Sequence, residues 1–207
     1  MFNRLRLQPD KRFSFFQGFL RHPNTVGSVI PSSRFLERRL VDIAGIATAR
    51  LVVELGPGTG GTTRAILRTL PDESNLLAIE INPTFVSLLR SQPDPRLITH
   101  LGSAVHIRDI LARHGLPRPD VVISGVPFST MPPSLGRSLI RAVWSSLAPG
   151  GHFVAYQVRD RVAILAREIA GTPEVAVEAL NVPPMRIFRW RKPAEAESPP
   201  GAAPLAS

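Results

Sequence analysis

Residues 51–61 read Leu-Val-Val-Glu-Leu-Gly-Pro-Gly-Thr-Gly-Gly, and this stretch decides the fold. Its apolar first half predicts a short buried strand, and its glycines predict a tight turn. Residues 62–70 follow with an amphipathic pattern that predicts a helix. A strand, a glycine-rich turn and a helix in this order form the opening unit of a nucleotide-binding α/β sheet. The sequence therefore predicts an α/β fold with a ligand at the end of its first strand.

The glycine-rich turn is the predicted ligand-binding loop. Its glycines can adopt positive φ angles and leave the backbone open to a ligand. The helix that follows contributes free N–H groups and the positive end of its dipole. We expect the contacts to come from the end of the strand and from the turn itself, namely Glu54, Gly56, Pro57, Gly58, Thr59 and Gly60.

Two cofactor classes fit this loop. Gly56, Gly58 and Gly61 satisfy the G-x-G-x-x-G pattern of dinucleotide-binding proteins. Residues 54–60 also resemble the Glu-x-Gly-x-Gly-x-Gly loop of class I S-adenosylmethionine-dependent methyltransferases. Glu54 favours the second class, because its carboxylate repels a pyrophosphate and attracts the cationic ammonium and sulfonium groups of S-adenosylmethionine. We therefore expect S-adenosylmethionine as the cofactor and S-adenosylhomocysteine as the product.

Length and composition narrow the possibilities. A chain of 207 residues with 43% hydrophobic residues suits one catalytic domain. It has no cysteine, which excludes disulfides and thiolate metal sites, and we expect no bound metal. We find neither a secretory leader pattern nor an apolar run of about 18 residues. These features lead us to expect a cytoplasmic protein.

The net charge of +9 is concentrated near the N-terminus. Residues 1–39 hold eight basic and two acidic residues, whereas residues 40–185 hold thirteen and twelve. Half of the ten phenylalanines lie in the first nineteen residues, and residues 10–21 predict an amphipathic helix. This pattern is typical of a helix that binds an anionic membrane surface, although the same phenylalanines could pack on the protein's own core. The candidate membrane-binding residues are Arg4, Arg6, Lys11, Arg12, Phe13, Phe16, Phe19, Leu20 and Arg21.

The chain divides into three predicted parts. Residues 1–30 form a basic membrane-binding arm and linker, residues 31–192 form the catalytic domain, and residues 193–207 form a disordered tail. Ser32 or Ser33 is the predicted N-cap of a helix that runs to about residue 44. The turn-rich linker before this helix either covers the cofactor or is an ordinary capping turn.

The βα alternation continues through the catalytic domain. Further strands are predicted at residues 75–80, 96–101, 120–124 and 152–158, helices at 83–89, 132–147 and 162–170, and a closing antiparallel pair at 174–180 and 185–190. Glu80 ends the second strand, where an acidic residue accepts hydrogen bonds from both ribose hydroxyls. The remaining candidate cofactor contacts follow the second, third and fourth strands, and they are Ile81, Gly102, Ser103, Ala104, Ser124 and Gly125.

Four segments, together with the arm, resemble the bacterial peripheral phospholipid N-methyltransferases. They are residues 27–33, 78–82, 124–129 and 155–157, with the sequences Gly-Ser-Val-Ile-Pro-Ser-Ser, Ala-Ile-Glu-Ile-Asn, Ser-Gly-Val-Pro-Phe-Ser and Ala-Tyr-Gln. The resemblance implies a Rossmann-like class I methyltransferase fold, with a seven-stranded, mostly parallel sheet and an antiparallel closing strand. It further implies stepwise methylation of phosphatidylethanolamine to phosphatidylcholine at the inner face of the cytoplasmic membrane.

The segment at residues 124–129 also resembles the Asn/Asp-Pro-Pro-Tyr/Phe turn of enzymes that methylate nitrogen. Gly125 stands where those enzymes carry Asn, so a side-chain acceptor for an adenine amine is missing. We expect backbone carbonyls of Gly125 and Val126 to accept the amine N–H bonds, and aromatic rings to face the cationic headgroup. The candidate catalytic residues are Pro127, Phe128 and Tyr156, and the candidate substrate-binding residues are Ile30, Pro31, Ser32, Val126 and Tyr156.

Three other functions compete with the phospholipid hypothesis. The protein could be a ribosomal RNA adenine N6-methyltransferase-like enzyme, a small-amine N-methyltransferase, or a cofactor-binding lipid sensor that does not catalyse. Gly125 and the nearly neutral charge of residues 40–185 count against a nucleic-acid partner. We therefore expect an anionic membrane and a phospholipid as partners, with the protein a monomer in solution.

Overall fold

The computed structural model describes residues 33–194, which form a seven-stranded sheet flanked by helices. The strands are β1 (Leu51–Leu55), β2 (Asn75–Glu80), β3 (Leu97–Leu101), β4 (Val121–Ser124), β5 (His152–Gln157), β6 (Glu174–Glu178) and β7 (Met185–Arg191). The helices are α1 (Arg34–Ala44), α2 (Gly61–Thr69), α3 (Pro83–Arg90), α4 (Ile107–Arg113), α5 (Pro133–Ser146) and α6 (Arg161–Ala170), with short 3-10 turns at Ile46–Thr48 and Ala104–His106.

Several predicted features lie outside the described residues. They are the arm helix with all its candidate membrane-binding residues, the linker residues Ile30, Pro31 and Ser32, and the predicted tail from residue 195 onward. Ser33 is the first described residue and is the N-cap of α1, where its side chain accepts a hydrogen bond from the Leu36 N–H. Its role as N-cap agrees with the prediction.

The sheet has the strand order β3-β2-β1-β4-β5-β7-β6. β7 runs antiparallel to both β5 and β6, and the other neighbouring pairs are parallel. This arrangement confirms the predicted fold class. β1 and β4 are buried along their whole length, as expected for parallel strands that helices cover on both faces.

Helices cover the sheet from both sides. α1 and α2 pack on one face, where Leu36, Leu40 and Ile66 belong to the same hydrophobic core as Val52 of β1. α4, α5 and α6 pack on the opposite face, where Val53 belongs to a core that extends to Phe153. Alternate residues of β1 therefore serve two hydrophobic cores, which fixes the direction in which each strand-end residue points.

The chain reverses its winding direction between β1 and β4. Leu55 pairs with Ser124 at the carboxyl ends of these two strands, and the Gly125 N–H donates to the Leu55 carbonyl. The loops after β1 and β4 therefore leave the sheet side by side. Such a switch point is where open α/β sheets bind ligands, so the topology places residues 56–60 and 125–128 in one candidate site.

Two local features differ from the predictions. α4 is not predicted by the sequence pattern, because a helix of seven residues is stabilised by burial of Ile107, Ile110 and Leu111 rather than by its own propensity. β6 ends at Glu178, two residues earlier than expected. The Glu178 carboxylate accepts a hydrogen bond from the Leu180 N–H, which draws the chain into a turn.

Candidate active site

The loop after β1 requires glycine at three positions. Gly56, Gly58 and Gly60 have φ angles of 70°, 56° and 81°, in the left-handed region that side chains disfavour. A Cβ on Gly60 would also lie 2.7 Å from the amide nitrogen of Gln92. The backbone of this loop therefore requires its three alternating glycines, as the sequence predicts.

Glu80 holds this loop against the neighbouring turn. One carboxylate oxygen accepts the Gly58 N–H at 3.1 Å, and the other accepts the N–H groups of Ile81 and Asn82 at 2.8 and 2.9 Å. The side chain is buried at the end of β2. Since a carboxylate offers about four acceptor positions, Glu80 retains capacity for a further donor such as a ribose hydroxyl.

Glu54 is a buried carboxyl group directly behind the loop. It is 1% exposed, and its Oε2 atom accepts a 2.6 Å hydrogen bond from the Thr63 hydroxyl of α2. Burial raises the pKa of Glu54 from 4.5 to about 7, although the Thr63 hydrogen bond opposes the shift. Its Oε1 atom has no hydrogen-bond partner among the described residues. A buried acceptor without a partner next to three backbone-exposing glycines fits a cationic ligand such as the ammonium group of S-adenosylmethionine.

The turn after β3 forms the far side of the cofactor region. The Gly102 N–H donates to the Glu80 carbonyl, which extends the sheet by one hydrogen bond. Gly102, Ser103 and Ala104 are all half-buried. The Ser103 side chain makes no capping hydrogen bond to the 3-10 turn that it precedes. These three candidate cofactor contacts therefore lie at the end of β3, next to the end of β2 that carries Glu80.

The loop after β4 faces a tyrosine. Gly125 is half-buried, and a Cβ built on it would lie 2.5 Å from the hydroxyl oxygen of Tyr156 and 3.1 Å from the carbonyl oxygen of Gly56. The Tyr156 hydroxyl also lies 3.4 Å from the hydroxyl of Thr62, in the first turn of α2. The tyrosine of β5 thus occupies the space that a side chain at position 125 would need.

Hydrogen bonds fix the turn at residues 124–128. The Ser124 hydroxyl accepts the Val126 N–H at 3.3 Å, and the buried Gln157 amide donates to the Val126 carbonyl at 2.8 Å. We expect this carbonyl to receive the substrate amine, and Gln157 already occupies one of its two acceptor positions. Pro127 is half-buried within the same turn. The turn is therefore built by the side chains of β4 and β5.

Phe128 does not present its ring to the site. The side chain is 0% exposed and belongs to the core on the α5 side, near Met131 and Gly136. This placement corrects the expectation that Phe128 faces a headgroup. The turn directs this large apolar side chain inward, where burial stabilises it.

Comparisons with known proteins identify the family. The chain is 35% identical over 143 residues to the ornithine lipid N-methyltransferase of Singulisphaera acidiphila, covering 68% of this chain and 74% of that enzyme. The chain belongs to the class I S-adenosylmethionine-dependent methyltransferases. It is therefore an enzyme, and its cofactor is S-adenosylmethionine. No family model matches the sequence.

The methyltransferase is also similar to ribosomal RNA enzymes. It is 29% identical over 196 residues to ribosomal RNA small subunit methyltransferase A of Kineococcus radiotolerans, covering 88% of this chain and 58% of that protein. The corresponding enzyme of Mycobacterium tuberculosis is 29% identical over 179 residues. The chain spans about half to three fifths of the length of these RNA methyltransferases.

Solved structures share the fold of the methyltransferase. The N-methyltransferase NodS of Bradyrhizobium japonicum superimposes with a TM-score of 0.64 at 17% identity, covering 79% of this chain and 97% of that one. The O-methyltransferase TomG of Streptomyces achromogenes, solved with S-adenosylmethionine, gives 0.62 at 18% identity, covering 91% and 92%. At these identities the similarity concerns the fold alone.

The structure adds three site residues to those that the sequence predicts. In the first turn of α2, Thr62 contacts Tyr156 and Thr63 donates a hydrogen bond to Glu54. Gln157 holds the turn after β4. The adjacent threonines directly after the glycine loop were the available signal for the first two. Across residues 33–194 of the methyltransferase, no helix is long and apolar enough to cross a membrane. The same residues contain no group of three or more His, Cys, Asp or Glu side chains that could hold a metal ion.

Proposed function

We propose that the enzyme methylates the primary amine of a membrane aminolipid, with phosphatidylethanolamine converted stepwise to phosphatidylcholine. The observation that carries this proposal is the 35% identity to a lipid N-methyltransferase over two thirds of the chain. The four segments that resemble phospholipid N-methyltransferases, which include the Gly125 turn and Tyr156, favour phosphatidylethanolamine. Identity to an ornithine lipid enzyme makes ornithine lipid the second candidate, since it also presents a primary amine.

The cofactor site would be formed at the ends of β1, β2, β3 and β4. S-adenosylmethionine supplies an electrophilic methyl group on a sulfonium. Glu54 would pair with the ammonium group of the cofactor, and the glycine loop would lie against the cofactor. Glu80 would accept a hydrogen bond from a ribose hydroxyl. The proposed contacts are Glu54, Gly56, Pro57, Gly58, Thr59, Gly60, Glu80, Ile81, Gly102, Ser103, Ala104, Ser124 and Gly125.

Tyr156 would orient the acceptor amine. An amine must be neutral to attack a methyl group, and a neutral primary amine carries two N–H donors and one lone pair. The Tyr156 hydroxyl oxygen, next to Gly125 and Thr62, would accept one of those donors and aim the lone pair. As methyl groups accumulate, the Tyr156 ring would stabilise the cationic headgroup through a cation–π interaction.

Gly125 separates this proposal from adenine methylation. A Cβ at position 125 would lie 2.5 Å from the Tyr156 hydroxyl, so the side-chain amide that would recognise a planar nucleobase amine could be placed there only if Tyr156 moved. The ribosomal RNA relatives still make adenine a candidate that needs testing. The nearly neutral charge of residues 40–185 also favours a substrate other than RNA.

The N-terminal arm would bring the enzyme to its substrate. We propose a peripheral monomer on the inner face of the cytoplasmic membrane, held there by the basic, phenylalanine-rich residues 1–30. Ile30, Pro31 and Ser32 of the linker are the proposed substrate contacts from this part of the chain.

A substrate panel tests the proposal. The enzyme is incubated with S-adenosylmethionine labelled in its methyl group and with phosphatidylethanolamine vesicles, ornithine lipid vesicles or protein-free small-subunit ribosomal RNA. We expect labelled monomethyl and then dimethyl phosphatidylethanolamine by thin-layer chromatography. Label in ornithine lipid alone would make ornithine lipid the substrate in place of phosphatidylethanolamine. Label in RNA alone would overturn the proposal.

A further inference from the structure

The loop of residues 179–184, which joins β6 to β7, exposes only apolar side chains. Leu180 is 63% exposed and Val182 is 88% exposed, and both are large hydrophobic residues. Ala179, Pro183 and Pro184 are exposed as well. Asn181, the one polar member of the loop, is buried. This distribution is the reverse of an ordinary surface loop, in which polar side chains meet the solvent.

Hydrogen bonds hold this loop in a defined shape. The Asn181 side chain accepts the Ser33 N–H at 3.0 Å and donates to the Pro183 carbonyl at 2.9 Å. Glu178 accepts the Leu180 N–H at 2.9 Å and forms a 3.6 Å ion pair with Arg39 of α1. Buried hydrogen bonds therefore fix the backbone of the loop, and its apolar side chains are exposed in an ordered conformation.

The loop lies at the same edge of the sheet as the candidate active site. Gln157 pairs with Arg186 and Glu178 pairs with Met185, so the β6–β7 connection is at the carboxyl ends of the parallel strands. Three strand spacings separate β6 from β4, which corresponds to about 14 Å. The loop and the Gly125 turn thus lie at the same edge of the sheet, with β5 and β7 between them.

Further apolar side chains extend the same surface. Val158 follows β5 directly and is exposed, and Phe35 is exposed in the first turn of α1, two residues after the Ser33 contact to Asn181. We call Phe35, Val158 and residues 179–184 the apolar edge. Exposed apolar residues that lie together at one edge of a sheet indicate an interaction surface.

Positive charge borders the apolar edge. Arg34, Arg159 and Arg186 are all exposed and adjoin Phe35, Val158 and Met185 in sequence. The acidic neighbours are Asp160, at the start of α6, and the buried Glu178, which is paired with Arg39. Exposed apolar side chains bordered by arginines suit the interface of an anionic bilayer. The apolar side chains would enter the acyl region, and the guanidinium groups would bind phosphates.

We propose that the apolar edge inserts into the surface of an anionic phospholipid bilayer, as a second membrane contact beside the N-terminal arm. The surface projects from the fold, with Val182 almost fully exposed, which suits a deformable lipid interface. The arm joins the described domain at Ser33, which is hydrogen-bonded to this loop. The inference rests on the proposed function, because a lipid substrate would then reach the Gly125 turn without leaving the interface.

Single-cysteine labelling tests this contact in the full chain, which has no native cysteine. Leu180→Cys and Val182→Cys are labelled with an environment-sensitive fluorophore, and Val175→Cys on β6, 54% exposed, is the matched control. The proteins are mixed with vesicles of phosphatidylglycerol and phosphatidylcholine that contain a nitroxide-quencher lipid. We expect a blue shift and quenching at positions 180 and 182, and little change at position 175.

Three results would overturn the proposal. Probes at 180 and 182 that remain in water on bound vesicles would exclude insertion. Probes that are already blue-shifted without vesicles would show that the arm covers the loop. A blue shift that grows with protein concentration would show that a second copy of the chain binds the loop. These readouts need no methyl transfer, so probe insertion without any methylated lipid would contradict the proposed function and leave this contact standing.

A loss-of-contact variant gives a second measurement. We expect Leu180→Ser/Val182→Ser to lower the fraction of protein that floats with these vesicles, with a partition coefficient reduced about tenfold. Val175→Ser should change it less than twofold. Methylation of phosphatidylethanolamine dispersed in detergent micelles should be unchanged, because no bilayer is involved. Equal flotation of the double variant and the wild type would contradict the proposal.

Discussion

Glu54 is a carboxyl group that the fold keeps out of water. Its pKa is about 7 because burial disfavours the charged form, so the folded protein holds a proton that the unfolded chain releases near pH 4.5. The stability contributed by this group is therefore complete below pH 4.5 and declines as the pH rises toward 7. A pKa change from 4.5 to about 7 corresponds to about 3 kcal/mol.

This sign leads to a prediction for Glu54→Gln without cofactor. Between pH 5 and pH 8 the wild type should lose about 2.5 kcal/mol of unfolding free energy relative to the variant, which has no carboxyl group to ionise at this position. Urea unfolding of both proteins at both pH values measures the difference. Parallel pH profiles would show that Glu54 does not titrate in this range. Saturating S-adenosylhomocysteine should reduce the difference, because an ammonium group would stabilise the ionised carboxylate.

Gly125 is restricted by space and not by backbone conformation. Its φ angle is outside the left-handed region, yet a Cβ would lie 2.5 Å from the Tyr156 hydroxyl. We predict that Gly125→Ala destabilises the protein by about 1–3 kcal/mol through overpacking. Gly125→Ala/Tyr156→Leu should recover most of that stability in thermal unfolding, but not the activity. Additive effects of the two substitutions would mean that the side chains do not compete for one space.

At the scale of elements, the βα alternation was predictable because the central strands β1, β2 and β4 carry short apolar runs and the helices between them follow an amphipathic pattern. The glycine loop was predictable because the left-handed backbone conformations at positions 56, 58 and 60 favour glycine. α4 was not, since its stability comes from burial against distant residues. Phe128 was misplaced for a related reason, because the sequence does not show whether a side chain after a turn points into the core or into the site.

The turn after β4 depends on a neighbouring strand. Gln157 of β5 donates to the Val126 carbonyl from a buried position, an interaction between residues 31 apart in the sequence. We predict that Gln157→Leu lowers the unfolding free energy by about 1–2 kcal/mol, because the buried carbonyl loses its donor. Turnover should fall at least tenfold while the dissociation constant for S-adenosylhomocysteine changes less than twofold. Gln157→Glu is not a suitable control since it adds charge, and Ser145→Ala on the exposed face of α5 serves instead.

At the scale of the whole molecule, charge and chemistry are separated along the chain. The basic excess lies in residues 1–39, and the catalytic body is nearly neutral. We predict that raising the salt concentration from 50 to 500 mM weakens binding to anionic vesicles at least tenfold. Lys11→Glu/Arg12→Glu should weaken it comparably at low salt. Methylation of phosphatidylethanolamine in neutral micelles should be insensitive to both changes, and a salt-independent vesicle affinity would contradict this separation.

We propose that the enzyme methylates a lipid amine beside Gly125 and the Tyr156 hydroxyl. The most direct test is single-turnover methylation of phosphatidylethanolamine vesicles by the wild type and by Tyr156→Phe, with S-adenosylhomocysteine affinity measured in parallel. We predict labelled lipid from the wild type, a rate about 10–100-fold lower for the variant, and cofactor affinity within twofold. Equal rates for the two proteins, or no labelled lipid from a folded wild type that binds the cofactor, would contradict the claim.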